Sequence, residues 1–563
     1  MTLYDIYLIA PQLSMAALAV LVVLADLVTP RKGLVSALAL AGLVAPLAFI
    51  VLHIYMPNGL LVAGTGNLAE GSGSDSMTLL TGFLPGSLAV DRFSAFMNLL
   101  VVASLGLVFL SSIDYVMKLP RLRGEFYGLM LLSASGMMLL ASATELITIY
   151  VALELTTLPL VAIAAFLPNA RSSEAGMKFL VIGAISSALT LYGMALLYGF
   201  SGSTTLEGIA LALGGPLRDD VPFGSYAVLV GIAVLTVGIA FKLSAIPSQM
   251  WVPDVYEGAP IPMVAFLSVA SKAVAFALLL RFLYSGLLPY YGDWGALLAI
   301  LAAITMTAGN LAALAQSNIR RLLGYSTIAH AGYLLVGVAA VAQLGGFGGW
   351  ASVDSLSPSA NAPSAAALML HSVQEGDSSI GGSFTFTTFG PSSVLFYLVA
   401  YAAANLTAFF AILAVHSRIG SDLIEDYGGV FRRFPFLAIA LAVALVALIG
   451  VPPTGIFVGK IYLLLAAVKS ELAWLALVGA INSVISAYYY VRIIRVMFMA
   501  PESEAVAAVG MGGIQSRTAR VSPFTLVALG LTLAATVLLG ILFGPVVQAA
   551  EGAVSALPGI LIQ

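Results

Sequence analysis

Four lysines lie where charged residues are rare. The 563-residue sequence contains only seven lysines, and four fall inside apolar stretches of membrane-spanning length: Lys178, Lys242, Lys272 and Lys460. A charge at the centre of a bilayer helix costs roughly 2.5–3.5 kcal/mol on insertion scales, so it is kept mainly where it has a function. Lysine can release its proton when it is desolvated, whereas arginine cannot, and the arginines are predicted at segment ends or in loops. The pattern predicts a path for protons.

One acid belongs to the same set. Glu154 lies near the middle of an apolar run, in Tyr150-Val-Ala-Leu-Glu154-Leu-Thr-Thr-Leu-Pro159. An acid beside a buried lysine stabilises the charged form of both groups, so separating the pair would let the lysine release its proton. Alternatively, Glu154 is a structural acid whose charge is satisfied by a neighbouring hydroxyl or lysine.

The lysines are not equivalent. Lys272 lies about ten residues inside its stretch and Lys460 is central in a run of more than thirty residues, so neither reaches the surface easily. Lys242 lies near the end of its stretch, where Pro247 could open the helix to water. Lys178 lies only two or three residues inside, and Glu174, one helical turn earlier, could be its surface partner.

A histidine and two further acids have more than one interpretation. His330, in Tyr325-Ser-Thr-Ile-Ala-His330-Ala-Gly-Tyr333, is either a neutral, packed side chain or a relay beside hydroxyl-held water. Asp254 and Glu257 are predicted on an inward loop without Lys or Arg. There they would either gather protons at an entrance or cap the following helix.

The composition restricts the class of protein. The chain is 61% hydrophobic and only 9% charged, which indicates an integral membrane protein. The absence of cysteine excludes cysteine-held iron–sulfur clusters, cysteine-ligated zinc and disulfides, so the chain is not expected to carry electrons. With a net charge of -3 and no P-loop, metal-binding helix or basic cluster, no cofactor, metal or nucleic acid is expected in this chain.

Apolar runs predict an all-α membrane protein with about fourteen spans. Their predicted positions are 4–28, 35–56, 93–113, 126–143, 146–166, 176–200, 225–247, 262–283, 294–315, 322–343, 392–416, 436–468, 472–497 and 522–547. The predicted organisation is a three-helix segment (1–125), a first repeat (126–283), a second repeat (284–500) and a C-terminal helix (501–563). The first segment contains a polar outer loop (57–89), and the second repeat contains a polar outer insertion (344–390).

Two five-helix repeats are predicted from matching interruptions. The fourth helix of each run of five carries a lysine and is broken by proline, in Phe241-Lys242-Leu-Ser-Ala-Ile-Pro247 and in Gly450-Val-Pro-Pro-Thr-Gly455. Broken helices at matching positions of two halves mark the ion site of many transporters. Because five is odd, the second repeat should enter the membrane from the opposite side.

The distribution of positive charge predicts the orientation. If both termini face outward, the outward side holds only Arg92, Arg218, Arg281 and Lys469, and the other fifteen Lys and Arg outside the spans face inward. Inward loops are usually the ones rich in Lys and Arg. Both termini are therefore predicted outside.

Several long motifs resemble those of a known family. Phe241-Lys-Leu-Ser-Ala-Ile-Pro-Ser-Gln-Met-Trp-Val-Pro-Asp-Val-Tyr-Glu-Gly-Ala-Pro260, Phe266-Leu-Ser-Val-Ala-Ser-Lys272, Arg321-Leu-Leu-Gly-Tyr-Ser-Thr-Ile-Ala-His-Ala-Gly-Tyr333 and Gly459-Lys-Ile-Tyr462 resemble subunit N of the proton-pumping NADH:quinone oxidoreductases, respiratory complex I. The resemblance covers about residues 90–500. The insertions 57–89 and 344–390 are longer than this family leads us to expect.

The resemblance implies an antiporter-like subunit that moves protons without touching electrons. By motif position, Glu154, Lys178, Lys242, Lys272 and Lys460 match the family's membrane glutamate and lysines, and His330 lies within one of the similar motifs. The resemblance implies sister antiporter-like subunits and other membrane and peripheral subunits as partners, with FMN and iron–sulfur clusters in those partners and a quinone used elsewhere in the complex. The expected location is an energy-transducing membrane, such as a bacterial inner membrane.

Other functions remain open at the level of sequence. A cation/proton antiporter would share this architecture, since a fold does not fix a function. The same subunit of a photosynthetic, ferredoxin-linked complex is also compatible with the motifs. A third alternative is a structural subunit whose buried charges only hold helices together.

Overall fold

The structure is a computed structural model of the chain. It describes residues 3–29, 32–55, 78–79, 86–118, 123–214, 224–340, 389–510 and 521–557. The predicted outer insertion 344–390 therefore lies outside the described residues except for its last two, and the outer loop 57–89 is described only at 78–79 and 86–89.

Fourteen spans make up the described chain, as predicted. Thirteen helices are long and apolar enough to cross a membrane, and the remaining span consists of two short helices. We number them in chain order as spans 1 (Ala10–Val28), 2 (Gly33–Tyr55), 3 (Arg92–Met117), 4 (Arg123–Ser142), 5 (Leu146–Ala164), 6 (Ala170–Ser201), 7 (Gly224–Leu243), 8 (Ile261–Gly286), 9 (Tyr291–Leu314), 10 (Ile319–Ala339), 11 (Phe389–Ile419), 12 (Pro435–Ile449 with Gly455–Lys469), 13 (Ala473–Met499) and 14 (Pro523–Ile541).

Shorter elements join or flank the spans. The short helices are Leu3–Leu8, Leu206–Gly214, Trp251–Gly258, Leu288–Tyr290, Ile424–Tyr427, Val430–Arg433, Glu504–Gly510 and Gly544–Val554. Within the described residues, strand pairing is limited to the antiparallel pair Thr78–Leu79 and Ala89–Val90 and three isolated bridges. Helices satisfy their own backbone groups, which is why they dominate in a bilayer.

Span 10 shows how the sequence fixes an element that carries the site. Asn318 caps its N-terminus, accepting hydrogen bonds from the backbone N–H groups of Arg320 and Arg321 at 2.9 and 3.1 Å. Gly309 of span 9 packs directly on this helix, since a Cβ there would lie 2.7 Å from the backbone nitrogen of Ala329. Small residues permit such close packing between membrane helices. Span 10 is consequently held tightly at the centre of the molecule.

Both predicted interruptions are present. Span 7 ends at Leu243, Ser244 follows with φ at 61°, and helical structure resumes only in the short helix that begins at Trp251. Span 12 stops at Ile449, Gly450 has φ at 87°, and the second half begins at Gly455. Lys242 thus precedes one break and Lys460 follows the other.

Two backbone bridges support the inverted relation of the repeats. Glu145, just before span 5, pairs with Thr205, just after span 6; Asn318, just before span 10, pairs with Leu423, soon after span 11. Spans 5 and 10 are five helices apart, so they begin on opposite sides of the membrane. The same connection therefore occurs once on each face. The domain limits proposed from sequence stay a prediction.

One prediction about arginine is wrong. Arg281 lies inside span 8, with 1% of its side chain exposed, rather than at a segment end. Its guanidinium donates two hydrogen bonds of 2.9 Å to the carboxylate of Asp91, which caps span 3. Such a bidentate pair supplies the partner that a buried arginine needs. The pair joins the N-terminal segment to the first repeat.

Candidate functional site: a buried row of lysines

Glu154 is held by span 6. Its carboxylate, half-buried on span 5, accepts a hydrogen bond from the hydroxyl of Ser187. Hydrogen bonds to a charged group are stronger than those between neutral groups. The structure thus gives Glu154 a hydroxyl partner, one of the two kinds of partner expected from the sequence.

Lys178 is not the partner of Glu154. It lies on span 6 nine residues before Ser187, which is about 13.5 Å along a helix axis. Its ammonium instead contacts Glu174 at 2.7 Å and Asp254 at 2.8 Å, and 42% of the side chain is exposed. The suggestion that Glu174 is its partner agrees with the structure. Lys178 therefore lies near the N-terminal end of span 6 rather than within the row of lysines.

Asp254 and Glu257 are held by cations. They lie on the short helix Trp251–Gly258, not in a loop, and Arg321 of span 10 contacts them at 2.6 and 3.1 Å. Partial burial favours a higher pKa for Asp254, but the hydrogen bonds from Lys178 and Arg321 outweigh it and lower this pKa below its usual value. Asp254 is ionised at neutral pH, so it serves better as a clamp than as a proton-collecting group.

Lys242 of span 7 contacts span 5 within one helical turn of Glu154. Its ammonium donates hydrogen bonds to the hydroxyl of Thr157 and, at 3.4 Å, to the carbonyl of Leu153. Thr157 follows Glu154 by three residues, so both lie on one face of the helix. The lysine bound to the helix of Glu154, one turn away from it, is therefore Lys242.

Aromatic side chains fix the broken end of span 7. Trp251 stacks on Phe179 of span 6 with ring centres 4.5 Å apart, and its indole donates to the carbonyl of Phe241 at 3.3 Å. This carbonyl also accepts from the backbone N–H of Ser244 at 3.1 Å, so two donors hold the end of the helix. The aromatic cluster holds the backbone that carries Lys242.

Lys272 is enclosed by protein. Only 2% of the residue is exposed, and its ammonium donates to the backbone carbonyl of Thr327 on span 10 at 2.6 Å. It directly follows a π-helical turn, Leu267–Ser271, within span 8. Such turns are frequent at functional sites. Lys272 thereby links the first repeat to span 10.

His330 lies one turn further along span 10. Its Nδ1 is 2.6 Å from the hydroxyl of Tyr397 on span 11, and its ring centre is 5.1 Å from that of Tyr401. Lys272 donates to the carbonyl of Thr327, three residues before His330, and Ser483, which accepts from Lys460, contacts Tyr333, three residues after it. His330 therefore lies along span 10 between the contacts of these two lysines, and its relay role stays a prediction.

Lys460 ends the row. Its ammonium donates to the carbonyl of Ile449 at 2.9 Å and to the hydroxyl of Ser483 at 3.2 Å. Ser483 lies 3.0 Å from the hydroxyl of Tyr333, which follows His330 by three residues on span 10. The carbonyl of Ile449 is free because the helix breaks at Gly450, and half-helix ends of this kind bind cations.

The row is not one unbroken hydrogen-bonded chain. Among the described residues, no direct hydrogen bond joins Lys242 to Lys272 or His330 to either lysine. Proton transfer between these groups therefore requires bridging water. Sequence reasoning missed Thr157, Ser187, Tyr397 and Ser483, since a hydroxyl in a membrane helix gives no sign that a distant segment places a charge beside it.

Comparisons with known proteins agree with this arrangement. The family described as "NADH:quinone oxidoreductase/Mrp antiporter, TM" matches residues 143–352 and 379–486. A protein of Dehalococcoides mccartyi named NADH-quinone oxidoreductase subunit N is 37% identical over 89% of this chain and 91% of its own length. A Gloeobacter violaceus protein named NAD(P)H-quinone oxidoreductase subunit 2 is 36% identical over 84% of this chain and 82% of its own.

A solved structure extends the likeness to the fold. A chain of respiratory complex I from Thermus thermophilus has a TM-score of 0.67 and 29% identity, covering 96% of this chain and 99% of that one. The family match includes spans from both predicted repeats and all five residues of the row. On these grounds, the chain belongs to the subunit N family of NADH-quinone oxidoreductases.

Proposed function

We propose that this chain is a proton-translocating membrane subunit of an NADH-quinone oxidoreductase. The observation that carries the proposal is the row of Glu154, Lys242, Lys272, His330 and Lys460, which has Lys242 beside the break of span 7 and Lys460 beside the break of span 12. As a non-redox part of a translocase, the chain moves protons while electrons pass through its partners.

The pair of Glu154 and Lys242 is the switch. When Glu154 is close, it stabilises the protonated form of Lys242, and when the two separate, Lys242 gives up its proton. Bridging waters then pass a proton through Lys272 and His330 to Lys460. Quinone reduction elsewhere in the complex supplies the energy that separates the pair. Lys178 acts at the inner end, with Asp254 and Arg321, and not as the partner of Glu154.

Cofactors and partners follow from the family. FMN and iron–sulfur clusters belong in partner subunits, since this sequence has no cysteine to ligate a cluster. Sister antiporter-like subunits and other membrane subunits complete the assembly. The location is a bacterial inner membrane with both termini outside, which puts Arg171, Arg321, Arg433 and Arg492 on the inner side, as the positive-inside rule requires.

Replacing Lys242 tests the function. In the assembled complex, Lys242→Ala should depress both NADH-driven proton uptake and turnover. Lys242→Arg should be damaging too, because arginine keeps its proton. Lys469→Ala is the matched control, since Lys469 ends span 12 over the ring of Phe389, away from the row. Full proton uptake in the Lys242→Ala enzyme would rule the proposal out.

A cation/proton antiporter is the second candidate, favoured by the family description, which includes Mrp antiporters. Ion flux through the purified chain in vesicles without redox partners would establish it. The photosynthetic version of the subunit would differ in the electron donor of its complex. Identifying the subunits that copurify with the chain distinguishes these from the main proposal.

A further inference from the structure

A second buried polar cluster lies beside the end of the row, between spans 9 and 13. Asn310 and Asn482 are 0% and 2% exposed. The side-chain amide of Asn310 donates to the side-chain oxygen of Asn482 at 3.0 Å and to its backbone carbonyl at 3.3 Å. The hydroxyl of Tyr489 donates to the side-chain oxygen of Asn310 at 2.9 Å. We call Asn310 and Asn482 the amide pair.

The amide pair has no donor left for water. Asn482 uses its own amide hydrogens on the hydroxyl of Thr307 at 3.1 Å and the carbonyl of Val478 at 3.0 Å. Each amide nitrogen therefore has two acceptors for its two hydrogens. By contrast, the side-chain oxygen of Asn98 in span 3 has no partner in the structure. An amide neither gains nor loses a proton near neutral pH, so a saturated pair cannot pass one on.

The amide pair, which cannot pass on a proton, lies next to a residue that contacts Lys460. Asn482 immediately precedes Ser483, which accepts a hydrogen bond from Lys460. On the other side, Tyr489 is followed by Arg492, whose guanidinium lies 3.4 Å from the carbonyl of Gln316 at the inner ends of spans 9 and 13. The amide pair consequently lies between Lys460 and the inner surface.

We propose that the amide pair insulates Lys460 from the inner aqueous phase. A proton that has reached Lys460 could otherwise return inward past Tyr489 without passing the pair of Glu154 and Lys242. The insulation makes the row the one productive route to Lys460 and so keeps pumping coupled to redox chemistry. This inference rests on the proposed function and on the orientation given with it.

The test replaces each amide with an isosteric group that can titrate. Asn482→Asp and Asn310→Asp should keep the shape of the cluster while adding a proton carrier. In proteoliposomes of the assembled complex, we expect fewer protons moved per NADH oxidised and a several-fold greater passive proton leak. Tyr489→Phe, which removes one hydrogen bond, should raise the leak less and keeps the test available if the Asp variants fail to assemble.

Two controls separate insulation from a structural role. Asn482→Leu removes the hydrogen bonds without adding a titrating group, so it should affect assembly and not leak. Asn98→Asp places a carboxyl at an equally buried amide outside this cluster and should leave the proton stoichiometry unchanged. Tight vesicles and a normal stoichiometry in both Asp variants, or equal leak in Asn482→Asp and Asn482→Leu, would overturn the inference. Normal pumping by Lys242→Ala with leaky Asp variants would instead refute the proposed function alone.

Discussion

The ammonium of Lys460 donates a hydrogen bond of 2.9 Å to the carbonyl of Ile449, across the break in span 12. The two residues lie on different halves of one span. The break leaves the carbonyl of Ile449 without a helical partner and places the ammonium of Lys460 within hydrogen-bond distance of it. Backbone dipoles at such ends stabilise a positive charge without adding a titrating group. A lysine here can be charged or neutral without rearranging an ion pair.

Lys460→Arg should therefore abolish most proton pumping while the complex still assembles. A guanidinium keeps its proton and its planar head does not fit the position of an ammonium. Proton uptake by membrane vesicles during NADH oxidation is the measurement. Lys469→Arg, on the same half-helix, is the control and should pump normally. A fully active Lys460→Arg enzyme would mean that charge alone matters at this position.

Ser187→Ala should slow turnover by weakening the position of Glu154. A hydrogen bond to a charged group contributes about 1.5–3 kcal/mol, so its loss should change the switch equilibrium by roughly tenfold or more. The neighbouring Ser186 donates to the carbonyl of Gly238, away from Glu154, and Ser186→Ala is the matched control. Steady-state quinone reduction coupled to proton uptake measures both variants. Equal effects of the two substitutions would assign Ser187 a packing role only.

Tyr397→Phe should change the pH profile of proton pumping. The hydroxyl of Tyr397 fixes which nitrogen of His330 faces it, so its removal frees the ring to change tautomer. Tyr284→Phe is the control, because Tyr284 is also buried and its hydroxyl has no partner in the structure. Pumping recorded between mildly acidic and mildly alkaline pH tests the prediction. Superimposable profiles for Tyr397→Phe and the unaltered enzyme would contradict it.

The contribution of the contacts between Asp254, Lys178 and Arg321 to stability should depend on pH only at acid pH. The pKa of Asp254 is lowered in the folded chain, so its contribution is present above the unfolded pKa, about 3.9, and is lost as pH falls through the folded value. Asp254→Asn should lower the melting temperature of the complex at pH 7, with a difference that shrinks below about pH 4. Asp293→Asn, at an exposed acid, should have no effect. A difference that persists at low pH would contradict this assignment.

The sequence predicted the elements best where a breaker residue and a buried charge coincide. Pro247 and Gly450 mark both interruptions, and the lysines beside them are where the structure forms its buried row. These signals are local, since proline and glycine restrict or free their own backbone. The helix breaks can therefore be predicted without any knowledge of the tertiary packing.

The partners of the charges could not be predicted, because they come from distant segments. Lys178 pairs with Asp254, 76 positions away, and Arg281 pairs with Asp91, 190 positions away. No local pattern in the sequence indicates either pairing. The amide pair joins residues 172 positions apart. Which face of a helix meets which neighbour is decided by packing, so spacing alone did not show which lysine lies beside Glu154.

The π-helical turn at Leu267–Ser271 sets the rotational phase of everything that follows it in span 8. A π turn accommodates one residue more than an α-helix does, and one residue corresponds to a rotation of about 100°. Lys272 faces Thr327, and Arg281 faces Asp91, with that extra residue in place. Deleting one residue from the turn would swing both side chains away from their partners together, so a single local irregularity keeps the relay lysine and the buried arginine in register.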